Sequence, residues 1–72
     1  MEFIRDNSYT LTTEDKRYKI VKNHATNTYY IKSEGKKLIH GNSRLTFRRQ
    51  KDAKAFVEKI YTEELNDAYK WL

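Results

Sequence analysis

Lysine and arginine are the side chains of this sequence best able to do chemistry, and they are unevenly spread. Residues 16–54 hold twelve of them (Lys16, Arg17, Lys19, Lys22, Lys32, Lys36, Lys37, Arg44, Arg48, Arg49, Lys51 and Lys54) against two acids, Glu34 and Asp52, a local charge of +10. Residues 1–15 sum to −3 and residues 55–72 to −2, which brings the whole chain to +5. Positive charge gathered on one segment attracts a polyanion by releasing condensed counterions and by steering at long range, so nucleic acid is the first partner this chemistry suggests.

The other polar residues do not spell out a reaction. His24 and His40 stand sixteen positions apart with no Cys, Asp or Glu at metal-ligand spacing, and no Ser–His–acid set accompanies them. The carboxylates Glu58, Glu63, Glu64 and Asp67 fall where a helix is expected. There, pairs such as Glu63 and Asp67 repel slightly and read as a solvated face rather than an acid/base pair. The expectation is a protein that is not an enzyme and uses no metal, cofactor or small-molecule substrate.

Seventy-two residues suffice for one domain, because so short a chain buries only about 60% of its unfolded surface and cannot supply two cores. At 38% hydrophobic and 14% aromatic the chain is too rich in Tyr, Phe, Ile and Leu to stay disordered, despite 35% charged residues. Without Cys it has no disulfide scaffold and no thiolate zinc site, which suits a reducing, cytoplasmic setting. The start Met-Glu-Phe-Ile-Arg-Asp lacks a basic leader, and no run approaches the roughly 18 apolar residues of a membrane span, so a soluble chain without a membrane partner is expected. The abundance of Lys, Asn, Ile and Tyr is of the kind found in AT-rich bacterial or phage genomes.

The elements that must position the cations are strands first and a helix last. Tyr18–Lys22 and Thr28–Lys32 are short β-branched and aromatic runs joined by His24-Ala25-Thr26-Asn27, which predicts a hairpin. Ser33-Glu34-Gly35-Lys36 signals a second turn before Lys37–His40, and Arg44–Arg48 alternates after the break at Gly41-Asn42-Ser43. Ser8–Thr13 predicts an additional edge strand paired with Tyr18–Lys22. From about Gln50 the spacing of Ala53, Phe56, Val57, Ile60, Glu64 and Ala68 is helical, with Phe56, Val57 and Ile60 as the core stripe and no Ser or Thr at the N-cap. One helix to Leu72 is preferred over a second helix opening at Thr62-Glu63-Glu64. The predicted fold is α+β, a three- or four-stranded antiparallel sheet packed on one C-terminal helix.

Alternation then sorts the strand residues. Tyr18, Ile20, Tyr29, Ile31, Leu45 and Phe47 are expected to face the helix, leaving Lys19, Val21, Tyr30, Lys32, Arg44, Thr46 and Arg48 on an open face. Such a face suits duplex DNA, with Arg44 and Arg48 on base edges and Lys16, Arg17, Lys36 and Lys37 on phosphates. The same charges also discourage edge-to-edge aggregation, so a merely solvated face competes with that reading, and RNA remains open as a ligand. A protein partner is the alternative from another class, recognised through an acidic surface of its own or through the aromatic patch Tyr61, Leu65, Tyr69 and Trp71.

The succession Tyr18–Lys22, Tyr29–Lys32, Leu45-Thr46-Phe47 and Lys51–Phe56 resembles the amino-terminal arm-binding domain of phage and transposon tyrosine-recombinase integrases. The resemblance covers about residues 18–60. It implies three antiparallel strands backed by a helix, with the sheet lying in the DNA major groove. No catalytic domain follows here, which departs from the full-length family, and the resemblance then implies a free-standing DNA-binding module, an accessory factor or an excised domain.

Overall fold

Four turns of this chain are closed by Asx side chains that accept a hydrogen bond from the backbone two residues on. Asn7 takes the N–H of Tyr9, Asp15 that of Arg17, Asn23 that of Ala25 and Asn66 that of Ala68, at 2.9–3.0 Å. Between them, in a computed structural model describing residues 2–63 and 65–72, lie β1 (Phe3–Asn7), β2 (Thr10–Thr13), β3 (Lys19–Asn23), β4 (Thr28–Ser33), β5 (Lys36–His40), β6 (Ser43–Arg44), α1 (Gln50–Thr62) and β7 (Tyr69–Trp71). Two further turns use left-handed backbone. Glu34 and Gly35, with φ of 52° and 79°, join β4 to β5 in two residues, and Gly41 at φ 67° opens the β5–β6 turn.

The strands form one antiparallel sheet in the order β1-β2-β3-β4-β5-β6. Ile39 and His40 of β5 pair with β6 on one side and with β7 on the other, so β7 closes the far edge. The chain is α+β as expected, but its sheet has seven strands rather than three or four. Ser8–Thr13 does pair with the β3 segment, yet it is not an edge, because β1 lies outside it. The alternating run Arg44–Arg48 forms ladder only at Ser43–Arg44 and then a single bridge, where Tyr29 and Phe47 exchange two hydrogen bonds of 2.7 and 2.8 Å.

The core lies between one sheet face and α1. Ile20, Ile31 and Leu38, from three strands, meet Ala53 and Val57 of the helix, all at most 1% exposed. Phe3, Tyr29, Leu45, Phe47, Phe56 and Ile60 pack around them. The expected helix stripe is present, with Ala53 letting the helix approach closely, and Arg49 caps the start without a side-chain bond. Glu64, which the helical spacing included, lies outside the described residues.

The C-terminal segment departs from expectation. The helix stops at Thr62, whose hydroxyl donates back to the carbonyls of Glu58 and Lys59, and Glu63 is already extended. Among the described residues, neither one long helix nor a second one follows. Asp67 and Ala68 instead form a turn, and β7 completes the open edge of β5, with Lys37 and Leu72 exchanging hydrogen bonds of 2.7 and 2.9 Å. The physical reason is the spacing of Tyr69 and Trp71. Two apart, they reach the same side only as a strand, and both pack against the core. Among the described residues no helix is long and apolar enough to cross a membrane.

Trp71 is partly buried and stacks on the buried Tyr18 with ring centroids 5.7 Å apart. Trp71→Ala is expected to cost about 2 kcal/mol in urea denaturation, below the range for a fully buried Trp. Leu72→Ala, at a residue 71% exposed, should stay near wild type.

Candidate nucleic-acid interface

Strand register builds this surface. Because Ile20, Ile31 and Leu38 point to the helix, their neighbours Lys19, Lys32 and Lys37 must point away, and the pairing sets Lys19 opposite Lys32 and Lys32 opposite Lys37. A second row on the same face runs from Thr10 through Val21 to Tyr30. The Arg44 guanidinium lies 4.5 Å from the centre of the Tyr30 ring, and the Lys37 ammonium lies 5.8 Å from it. Thr46 and Arg48 are exposed on either side of Phe47, which packs on the core, beyond the end of β6.

The structure therefore brings Lys19, Val21, Tyr30, Lys32 and Arg44 together, as alternation requires. It also adds two cations. Lys37, expected at a turn, stands within the lysine row, and Lys70 of β7 pairs opposite Ile39, which separates it from Arg44 on β6. Reading Tyr69-Lys70-Trp71 as an alternating strand would have found the second of these. Lys16 and Arg17 sit in the β2–β3 turn, where with Lys19, Lys32, Glu34 and Gly35 they line a concavity of about 240 Å³. Lys36 alternates to the other side and is exposed at the sheet end.

Not every cation of the basic segment joins. Lys51 and Lys54 ride on the helix, with the Lys54 ammonium 5.7 Å from the centre of the Phe3 ring, and Arg49 is its N-cap. Asp6 is the acid nearest the lysine row, reaching Lys19 at 3.6 Å across β2.

The aromatic residues of the C-terminal segment are engaged elsewhere. Leu65, Tyr69 and Trp71 pack against the core cluster, and Tyr69 stacks on His40 at 4.5 Å. Tyr61 is 37% exposed, meets Tyr18 edge-on and donates its hydroxyl to Asp15. His24 lies edge-on to Tyr9. Among the described residues, no group of His, Cys, Asp and Glu gathers as metal ligands. No protein-family model, curated protein or solved structure matches this chain.

Asp15 anchors the turn that presents Lys16 and Arg17. Hydrogen bonds from the Thr13 hydroxyl, then the Tyr61 hydroxyl, then the Arg17 backbone N–H hold its carboxyl down to about 2, and loss of solvent with the Asp15 bond pushes the Tyr61 phenol up. A depressed carboxyl stabilises the fold above its unfolded value of 3.8 and loses that contribution as pH falls through its folded value near 2. The raised phenol contributes below its ordinary value of 10.0, and its contribution is lost as pH rises through the higher folded value. Melting temperature should therefore fall between pH 4 and 2, and Tyr61→Phe should flatten part of that fall while keeping the ring contact with Tyr18.

Proposed function

We propose that this chain binds duplex DNA without catalysing a reaction, laying its lysine-rich sheet face against the major groove. The observation that carries the reading is that Lys19, Lys32, Lys37, Arg44 and Lys70, from five separate strands, share one sheet face, with Arg44 and Lys37 at the Tyr30 ring. A β surface of this kind can enter the major groove, where cations neutralise phosphates and guanidinium forks read guanine edges. Arg44 is suited to reading because its guanidinium is held 4.5 Å from the centre of the Tyr30 ring, which restrains a long side chain that carries five N–H donors. Arg48, exposed at the end of the same segment, is the second reader, and Lys16 and Arg17 in the β2–β3 turn serve phosphates with Lys37, whereas Lys36, on the other side of the sheet, falls outside the contact.

The likeness to the integrase arm-binding domain points the same way. Within residues 18–60 the order is β3, β4, β5, β6 and α1, four strands and a helix, one strand more than the likeness implies, with β1, β2 and β7 outside it. On that reading the chain is an accessory DNA-binding module of a bacterium or mobile element, without cofactor.

Binding to duplex fragments should weaken steeply between about 50 and 200 mM salt, with a slope near 0.9 per phosphate contact. Arg44→Ala and Arg48→Ala should each cost about 1–3 kcal/mol of discrimination between sequences, whereas Lys37→Ala should weaken all sequences alike. Gel-shift titrations check both. Absence of duplex binding at low salt, or A-form RNA competing as well as DNA, would remove the proposal.

A further inference from the structure

Lys19, Lys32 and Lys37 stand directly opposite one another across three adjacent strands. Neighbouring strands lie about 4.8 Å apart, so like charges in such a row repel and destabilise the sheet unless a counter-charge joins them. Asp6 reaches Lys19, but both groups are about half exposed and such a pair offsets little. At the Lys19–Lys32 end of the row, the surface dips between the β2–β3 and β4–β5 turns into the concavity lined by Lys16, Arg17, Lys19, Lys32, Glu34 and Gly35. Four cations face a single carboxylate there, an excess of three positive charges. Arg17 is already held in place, with its N–H on Asp15 at 3.0 Å and its guanidinium 5.4 Å from the centre of the Tyr18 ring.

We propose that this concavity is a discrete site for a phosphoryl group carrying about two or more negative charges, a terminal phosphomonoester or pyrophosphate. A phosphodiester brings one charge and leaves most of the repulsion standing. A terminal phosphate brings about −1.5 to −2 at pH 7 and three acceptor oxygens that can bridge several ammonium groups. The volume of about 240 Å³ falls below the roughly 300–1,000 Å³ of drug-sized ligand sites, which suits a compact anion. The site adjoins the proposed DNA-binding face and shares Lys16, Arg17, Lys19 and Lys32 with it, yet does not depend on duplex binding.

An amide NMR titration with pyrophosphate at constant ionic strength tests it. Saturable shifts should centre on Arg17, Lys32 and Gly35. Arg17→Gln and Lys32→Gln should each weaken binding about tenfold, and Lys51→Gln on the helix should leave it unchanged. Lys16→Asn, in a residue type that tolerates the φ of 63° at that position, gives a further variant with no folding cost. Oligonucleotides with a 5′-phosphate or a 5′-hydroxyl identify the source. Preference for the phosphorylated end assigns the site to a nucleic-acid terminus, and saturation by pyrophosphate without that preference assigns it to a free anion. A protein that saturates with pyrophosphate but ignores duplex DNA would end the DNA reading and leave this one intact. Equal shifts from sodium chloride, or undiminished binding in the Arg17 and Lys32 variants, would overturn it.

Discussion

A single helix covers a single face of the sheet, and the period of two along each strand dictates what that face receives. Ile20, Ile31 and Leu38 stand in register across β3, β4 and β5 against Ala53 and Val57, and burying each large aliphatic side chain is worth roughly 1.5–3 kcal/mol. A slip of one residue in any of these strands would turn the isoleucines outward and drive Lys19 or Lys32 into the core. Core and basic face are therefore one constraint seen from two sides. The cations converge because the aliphatic residues between them are buried, and the register that fixes the core also fixes the spacing of the lysine row.

That link explains which parts of the molecule were legible in the sequence. Alternation in Tyr18–Lys22 and Thr28–Lys32 carried both faces of β3 and β4, and the helical stripe of Ala53, Phe56, Val57 and Ile60 was read from spacing alone. What escaped was long-range. Nothing local in Phe3–Asn7 marks it as a strand, since β1 has one partly buried residue and a bulge beyond Arg5, and its pairing depends on β2 already being in place. The segment ending in Tyr69-Lys70-Trp71 offered helical spacing as well as strand alternation. The open edge of β5, about thirty residues earlier in the chain, decided between them by providing hydrogen-bond partners that a helix would have left unmet. Lys70 entered the basic face by that route.

The aromatic residues divide along the same boundary. Tyr18, Tyr29, Phe47, Phe56, Tyr69 and Trp71 pack within the core cluster, and they supply much of the bulk that a chain this short needs. Tyr30 is the aromatic residue set among the cations of the opposite face, where its ring lies between Arg44 and Lys37. A phenol there cannot neutralise charge, but its ring electrons soften the repulsion between two cations and hold the longer side chain in a defined plane. A bound polyanion would add the counter-charge that the ring cannot.

Repulsion across the lysine row acts on a domain with little stability to spare. The contributions that hold the row together are remote from it: the Ile–Val core beneath, β7 sealing the β5 edge, and the bond from Tyr61 on the helix to Asp15 in the β2–β3 turn. The last of these ties the end of α1 to the turn that presents Lys16 and Arg17, so the helix braces the basic concavity as well as covering the core. Relieving the repulsion by replacing lysines with neutral residues would stabilise the fold and at the same time remove the charge that a phosphate recognises. If the concavity takes a phosphoryl group as proposed, stability and anion affinity are opposed at Lys19 and Lys32, which stand directly opposite each other.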